Sequence, residues 1–84
     1  MYTIYIEHAA EKDLNKIPSA QFDIIVSKIK ELANNPHPAG NKKLKDSDKF
    51  WRIRIGDYRV IYEINTSEKV IKIFKVRHRK DAYR

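Results

Sequence analysis

The chain reads as an α+β domain of order β-α-α-β-β-β. Two N-terminal helices pack on a small, mainly antiparallel twisted sheet. Three observations predict this. Apolar and charged residues alternate through Phe50-Trp51-Arg52-Ile53-Arg54-Ile55, Gly56-Asp57 follows, and a second β-rich run starts at Tyr58; this is the pattern of two half-buried strands around a tight turn. Apolar residues recur at helical spacing over Phe22, Ile25, Val26, Ile29, Leu32 and Ala33, which predicts an amphipathic helix with a wide apolar face. The length of 84 residues with 42% hydrophobic residues supports one compact core, so residues 1–84 form a single domain.

The elements follow in order. Tyr2, Ile4 and Ile6 alternate with Thr3, Tyr5 and Glu7, predicting a first strand that joins the sheet at an edge or beside a later strand. Residues 8–17 place Ala10, Leu14 and Ile17 on one helical stripe. Pro18 closes that helix, and Ser19 is suited to cap the next, which runs from Ala20 to about Asn34. Residues 34–41 form a Pro- and Gly-containing loop. Lys42-Lys43-Leu44-Lys45 is a basic segment with one apolar anchor, and Lys49 precedes the hairpin. A Gly-first two-residue loop suits a type II′ turn. That turn sets Ile55 opposite Tyr58, Arg54 opposite Arg59, Ile53 opposite Val60 and Arg52 opposite Ile61. Trp51, Ile53, Val60 and Tyr62 then face the core, while Arg52, Arg54 and Arg59 project from the open face. The second arm runs to Ile64, residues 65–69 turn, Val70 to about Val76 is the last strand, and Arg77–Arg84 is a basic tail.

Composition removes several function classes. Without cysteine there is no disulfide framework, thiolate metal site or thiol nucleophile, which suits a reducing cytoplasm. No run approaches the ~18 apolar residues of a membrane span, and the N-terminus lacks the basic start and apolar stretch of a signal peptide. His8, His37 and His78 lie far apart without ligand spacing, so no metal and no cofactor is expected. Gly40 and Gly56 are the only glycines, which excludes phosphate-binding glycine loops.

Charge points to the partner. The net charge is +7, and it is uneven: residues 1–41 carry 4 Lys/Arg against 5 Asp/Glu, and residues 42–84 carry 14 against 6. A basic half containing the hairpin suggests a polyanion or an acidic protein partner. Two arginines opposite each other on one face repel. An anionic ligand relieves that, and the guanidinium fork matches phosphate.

Cations together with His78 and Tyr83 suit cleavage of RNA. There the nucleophile is the substrate's own 2′-hydroxyl, so the protein has only to hold the phosphate, stabilise added charge and manage protons. Arg52, Arg54, Arg59 and Arg79 serve the first two tasks. Arginines stay protonated and are poor bases, so His78 and Tyr83 are the candidates for proton transfer, Tyr83 also for stacking on a base. Lys42, Lys43, Lys45, Lys49, Arg77 and Lys80 are candidate contacts to RNA or ribosome. The bland alternatives are a structural strand-end histidine, a tyrosine that pins the tail, and a solvated basic loop.

These residues carry a family resemblance. Lys43-Leu44, the run Trp51 to Ile64, and Val76-Arg77-His78-Arg79-Lys80-Asp81-Ala82-Tyr83-Arg84 resemble the RelE branch of the RelE/ParE toxin superfamily over essentially the whole chain. The resemblance implies a microbial-ribonuclease-like fold and the toxin of a type II toxin–antitoxin module. It implies metal-independent cleavage of mRNA in the ribosomal A site by 2′-hydroxyl attack. It also implies a RelB-type antitoxin as partner, with operator DNA reached only through that antitoxin. Arg52 and Arg54 stand where well-known members carry lysines. Arg59 matches the phosphate-binding arginine after Gly-x-Tyr, Arg79 a second charge-stabilising arginine, His78 a histidine of many relatives, and Tyr83 the late tyrosine. The ParE branch shares the fold yet inhibits DNA gyrase, and is the alternative reading. A non-catalytic basic module that binds RNA or an acidic protein is the third.

Overall fold

The structure, a computed structural model, describes residues 1–45 and 48–80. Its elements are β1 (Thr3–Ile6), α1 (His8–Asn15), α2 (Ser19–Glu31), β2 (Lys42–Lys43), β3 (Phe50–Ile55), β4 (Tyr58–Asn65) and β5 (Val70–His78). The strands form one sheet in the order β1-β5-β4-β3-β2. β1 lies at one edge, parallel to β5, and the other pairings are antiparallel. The α+β class and mainly antiparallel sheet agree with the sequence reading.

The hairpin register is as predicted: Ile55 pairs with Tyr58, Arg54 with Arg59, Ile53 with Val60 and Arg52 with Ile61. Gly56 has φ +59° while Asp57 is not in the positive-φ region, the pattern of a type II′ turn. A side chain at Gly56 would meet open space, so the left-handed backbone alone demands glycine.

Four boundaries differ from expectation. Lys42–Lys43 is a short edge strand on β3 rather than loop; two residues are too few for alternation to reveal. Pro18, not Ser19, is the N-cap of α2, and no side chain caps that end. The α2 helix stops at Glu31 and continues as turns to Asn34. β5 extends through His78, so Arg77 and His78 belong to the sheet rather than to a tail.

The core lies between the helices and one face of the sheet. Ala10 and Leu14 of α1, with Ile25 and Ile29 of α2 and the adjoining Leu32, pack on Ile53, Val60, Tyr62, Ile71, Ile73 and Val76. Trp51, Ile55 and Tyr58 pack at its margin. Tyr62 is fully buried, and its hydroxyl donates to Pro36 O at 2.9 Å and accepts from Asn41 Nδ2 at 3.3 Å. Burial pushes the Tyr62 phenol up from its ordinary value, with the Asn41 hydrogen bond opposing the shift. The tyrosine therefore anchors the loop over 34–41 from below. Past the end of β1, the Val76 N–H donates to Asp13 Oδ2 at 3.0 Å. A carboxylate of α1 thus serves a backbone group for which the edge strand is too short.

One irregularity shapes the open face. Ile61 pairs with Lys75 but Tyr62 pairs with Ile73, so β5 carries an extra residue at Phe74. A bulge of this kind re-aims side chains. Ile71, Ile73 and Val76 all stay buried, although a regular strand cannot put both 73 and 76 on one face. The consecutive residues Phe74 and Lys75 then both turn outward.

Candidate functional site

Strand parity assembles the cations. Arg54 pairs with Arg59, and Arg59 pairs with Arg77, so three arginines form one row across β3, β4 and β5 on the face away from the helices. The next row holds Lys42, Arg52, Ile61 and Lys75. Beyond it lie Phe50, Glu63, Lys72 and Tyr5. The buried partners Ile53, Val60 and Val76 sit on the opposite face between these rows. That burial holds the register and hence the row.

At the turn end of the row, Arg54, Asp57, Tyr58, Arg59, Arg79 and Lys80 line a shallow pocket of about 280 Å³. Arg54 Nε donates to Gly56 O at 3.2 Å, which folds its guanidinium toward the turn. The Arg79 N–H donates to Asp57 O at 2.7 Å. An Arg79 Nη1 to Asp57 Oδ1 distance of 3.9 Å adds a loose, exposed ion pair. The chain beyond β5 is thereby tied to the hairpin turn, and Arg79 is held beside Arg54 and Arg59.

Not every expected residue joins this group. His78 has the parity of Val76 and lies on the helix side of the sheet. Its ring meets Tyr58 edge-on at 5.1 Å between centroids, and its Nδ1 accepts the Lys80 N–H at 3.2 Å. It borders a cleft with Asp13, Lys16, Ile17 and Arg77. Strand parity therefore sets His78 apart from the face that carries the arginine row. Lys43 pairs with Trp51 and has that residue's parity, opposite to Lys42. Lys45 and Lys49 are exposed in the loop before β3. Tyr83 lies outside the described residues. Among the described residues, no three His, Asp or Glu side chains converge to hold a metal ion. Among them too, no helix is long and apolar enough to cross a membrane.

Three groups on the open face were not singled out in sequence: Lys75, Lys72 and the Phe50–Phe74 pair. The readable signal was the break in alternation over Ile73-Phe74-Lys75-Val76, which a regular strand cannot satisfy. Arg77, a candidate contact to RNA or ribosome, is a full member of the row.

A two-helix, five-strand α+β domain with a cationic open sheet face is the architecture of RelE/ParE-type toxins. The chain belongs to the family of ParE toxins of type II toxin–antitoxin systems, whose family model matches residues 4–83. It is 33% identical to a Methanocaldococcus jannaschii protein designated RelE1, over 99% of this chain and 96% of that one. It is 31% identical to toxin RelE of Mycobacterium tuberculosis, over 99% of this chain and 87% of that protein. Among solved structures, the archaeal RelE–RelB complex of Pyrococcus horikoshii contains a chain that superposes with TM-score 0.82 at 34% identity, covering 93% of this chain and 94% of that one. The resemblance read from the hairpin and the His-Arg-Lys-Asp ending is borne out.

Proposed function

We propose that the chain is a ribosome-dependent endoribonuclease toxin that cuts mRNA in the ribosomal A site through the substrate's own 2′-hydroxyl. The observation that carries this reading is the in-register row Arg54–Arg59–Arg77 leading into the pocket with Arg79 and Lys80. Guanidinium forks from neighbouring strands grip the non-bridging oxygens of one phosphodiester and hold it for in-line attack. They also offset the charge that builds on those oxygens as the 2′-oxygen adds.

The arginines stay protonated and cannot take the 2′ proton. With His78 turned to the helix side, proton transfer is assigned to Tyr83, four residues beyond Arg79. His78 instead supports Tyr58 at the rim of the pocket. Arg52, Lys42 and Lys75 guide the flanking backbone, which makes binding steeply salt-dependent. Lys45, Lys49 and Lys80 add peripheral contacts to RNA or ribosome.

Relatives solved as RelE–RelB complexes support a RelB-type antitoxin as the cytoplasmic partner, with operator DNA engaged only through it. The test maps message ends after the purified chain acts on translating ribosomes. Cleavage within A-site codons is expected, and Arg59→Ala should reduce it about 10²- to 10³-fold, as loss of one charge-stabilising donor does. Undiminished cleavage by that variant would remove the assigned site. The ParE family match favours a second reading, gyrase inhibition; it predicts blocked supercoiling with intact message.

A further inference from the structure

The open face carries an aromatic ledge that the phosphate-binding row does not use. Phe50 of β3 and Phe74 of β5 meet with ring centroids 5.0 Å apart and planes tilted by 38°. Phe74 remains 39% exposed, unusual for a large apolar side chain with a core available on the other face of its own strand. Phe74 keeps the outward parity of Lys72, and the bulge sets the next residue, Lys75, outward beside it. Lys75 Nζ lies over the Phe74 ring at 5.4 Å from its centroid. Arg52 lies in the neighbouring row, while Lys72 and the acid Glu63 share the row of Phe50, Glu63 as its direct register partner.

We infer that the Phe50–Phe74 pair is a stacking platform for an unpaired base of the RNA strand whose phosphate lies on the arginine row. Aromatic faces set among cations on an open sheet are the composition that single-stranded nucleic acid requires: the charges follow the backbone and the rings take the bases. Phe50 is four residues from Arg54 along β3, about 13 Å at strand rise. A strand crossing Arg54, Arg59 and Arg77 and running back along β3 therefore passes Arg52 before it reaches the rings. The ledge would fix the path and register of the message on one side of the scissile bond. It would read a base through its π-face, tolerant of sequence but not of base removal. The inference rests on the nuclease reading for the strand's position, but stacking itself requires no cleavage.

The test uses the whole chain and a short fluorescent single-stranded RNA in which 2′-O-methyl groups block attack, followed by anisotropy. Phe74→Ala and Phe74→Leu should weaken binding about 5- to 10-fold, the lower end of the stacking range because the ring is part exposed. Phe74→Tyr should bind as wild type. Removing one base at a time should reveal a position that matters to wild type and is indifferent in Phe74→Ala. The salt slope of Phe74→Ala should equal that of wild type, since no charge is lost.

Affinity of Phe74→Ala within twofold of wild type overturns the platform, as does Leu performing as well as Tyr, or no binding by wild type. A defect confined to binding of an acidic protein partner also overturns it. A chain that binds through Phe74 but does not cut message on ribosomes keeps the platform and loses the nuclease reading. A chain that cuts message equally well with Phe74→Ala, at unchanged affinity, does the reverse.

Discussion

Arg77→Gln should make the protein more stable while weakening its grip on RNA. Arg77 and Arg59 are directly paired on adjacent strands, with Arg54 one strand further on. Strands lie about 4.8 Å apart, and long side chains that diverge place the first two charges roughly 7 Å apart. At an effective dielectric constant of about 60, suited to half-exposed groups, Coulomb's law gives about 0.8 kcal/mol of repulsion. Arg54, at roughly 12 Å, adds about 0.5 kcal/mol. Glutamine keeps most of the aliphatic stem and gives back a few tenths through lost packing. The net gain is about 1 kcal/mol, which for a domain of this size raises Tm by about 4–8 °C. Screening identifies the cause: the Debye length falls from about 30 Å at 0.01 M salt to about 3 Å at 1 M. The gain should therefore be present in thermal melts at low salt and nearly absent at 1 M. Equal or lower stability of the variant at low salt would refute the reasoning, as would a gain that persists undiminished at 1 M.

Other consequences follow from specific contacts. Tyr62→Phe takes the hydroxyl from Pro36 O and from Asn41 Nδ2, which keeps its contact with His37 Nδ1, and should cost about 1–2 kcal/mol in urea unfolding. Because the folded Tyr62 pKa is raised, its contribution is complete below the unfolded value near 10 and is lost as pH rises through the folded value; the phenylalanine variant should lack that part of the alkaline loss. Asp13→Ala strips the acceptor from the Val76 N–H and should cost about 1–3 kcal/mol, with faster hydrogen exchange at Val76. Gly56→Ala forces a Cβ into a left-handed backbone and should cost about 1–2 kcal/mol, read from the shift in denaturation midpoint. Lys43→Ala should leave message cleavage unchanged, whereas Lys42→Ala should lower the salt slope of RNA binding by about one phosphate contact.

Much of this was legible in sequence because period-2 alternation, a glycine-first turn and a wide helical stripe each carry a local physical rule. The hairpin register needed only Gly56-Asp57, and the opposed Arg54 and Arg59 followed from it. The α2 core positions needed only the spacing of Ile25, Ile29 and Leu32. What escaped was set by partners distant in sequence. β2 exists because Lys42 and Lys43 find the edge of β3, not because two lysines favour a strand. Asp13 reads as an ordinary helix carboxylate until the Val76 N–H appears beyond the end of β1. The third arginine of the row escaped because Arg77 follows an apparent strand end at Val76. The helix-side position of His78 escaped for the same reason. Carrying the parity of the buried Val76 two residues further puts His78 on the helix side and Arg77 on the open one.

The same parity explains why a repulsive row survives in a small domain. Sliding β4 by one residue against its neighbours would turn Arg59 toward the helices and Val60 toward solvent. Ile53, Val60 and Val76 are each at most 7% exposed, and full burial of such side chains contributes about 1.5–3 kcal/mol apiece. That sum exceeds the ~1 kcal/mol of repulsion that removing one arginine relieves, so the core dictates register and the cations follow. The bulge extends this control past Tyr62: were Phe74 kept and Ile73 to Val76 paired as a regular strand, either Ile73 or Val76 would face solvent. Deleting Phe74 should therefore be tolerated by the sheet, because Ile73 then adjoins Lys75 and regular alternation keeps Ile73 and Val76 inward and Lys75 and Arg77 outward. The deletion variant should accordingly melt cooperatively, as Phe74→Ala does. Loss of cooperativity in the deletion variant alone would show that the bulged residue itself, and not the parity of the buried residues around it, holds the arginine row in place.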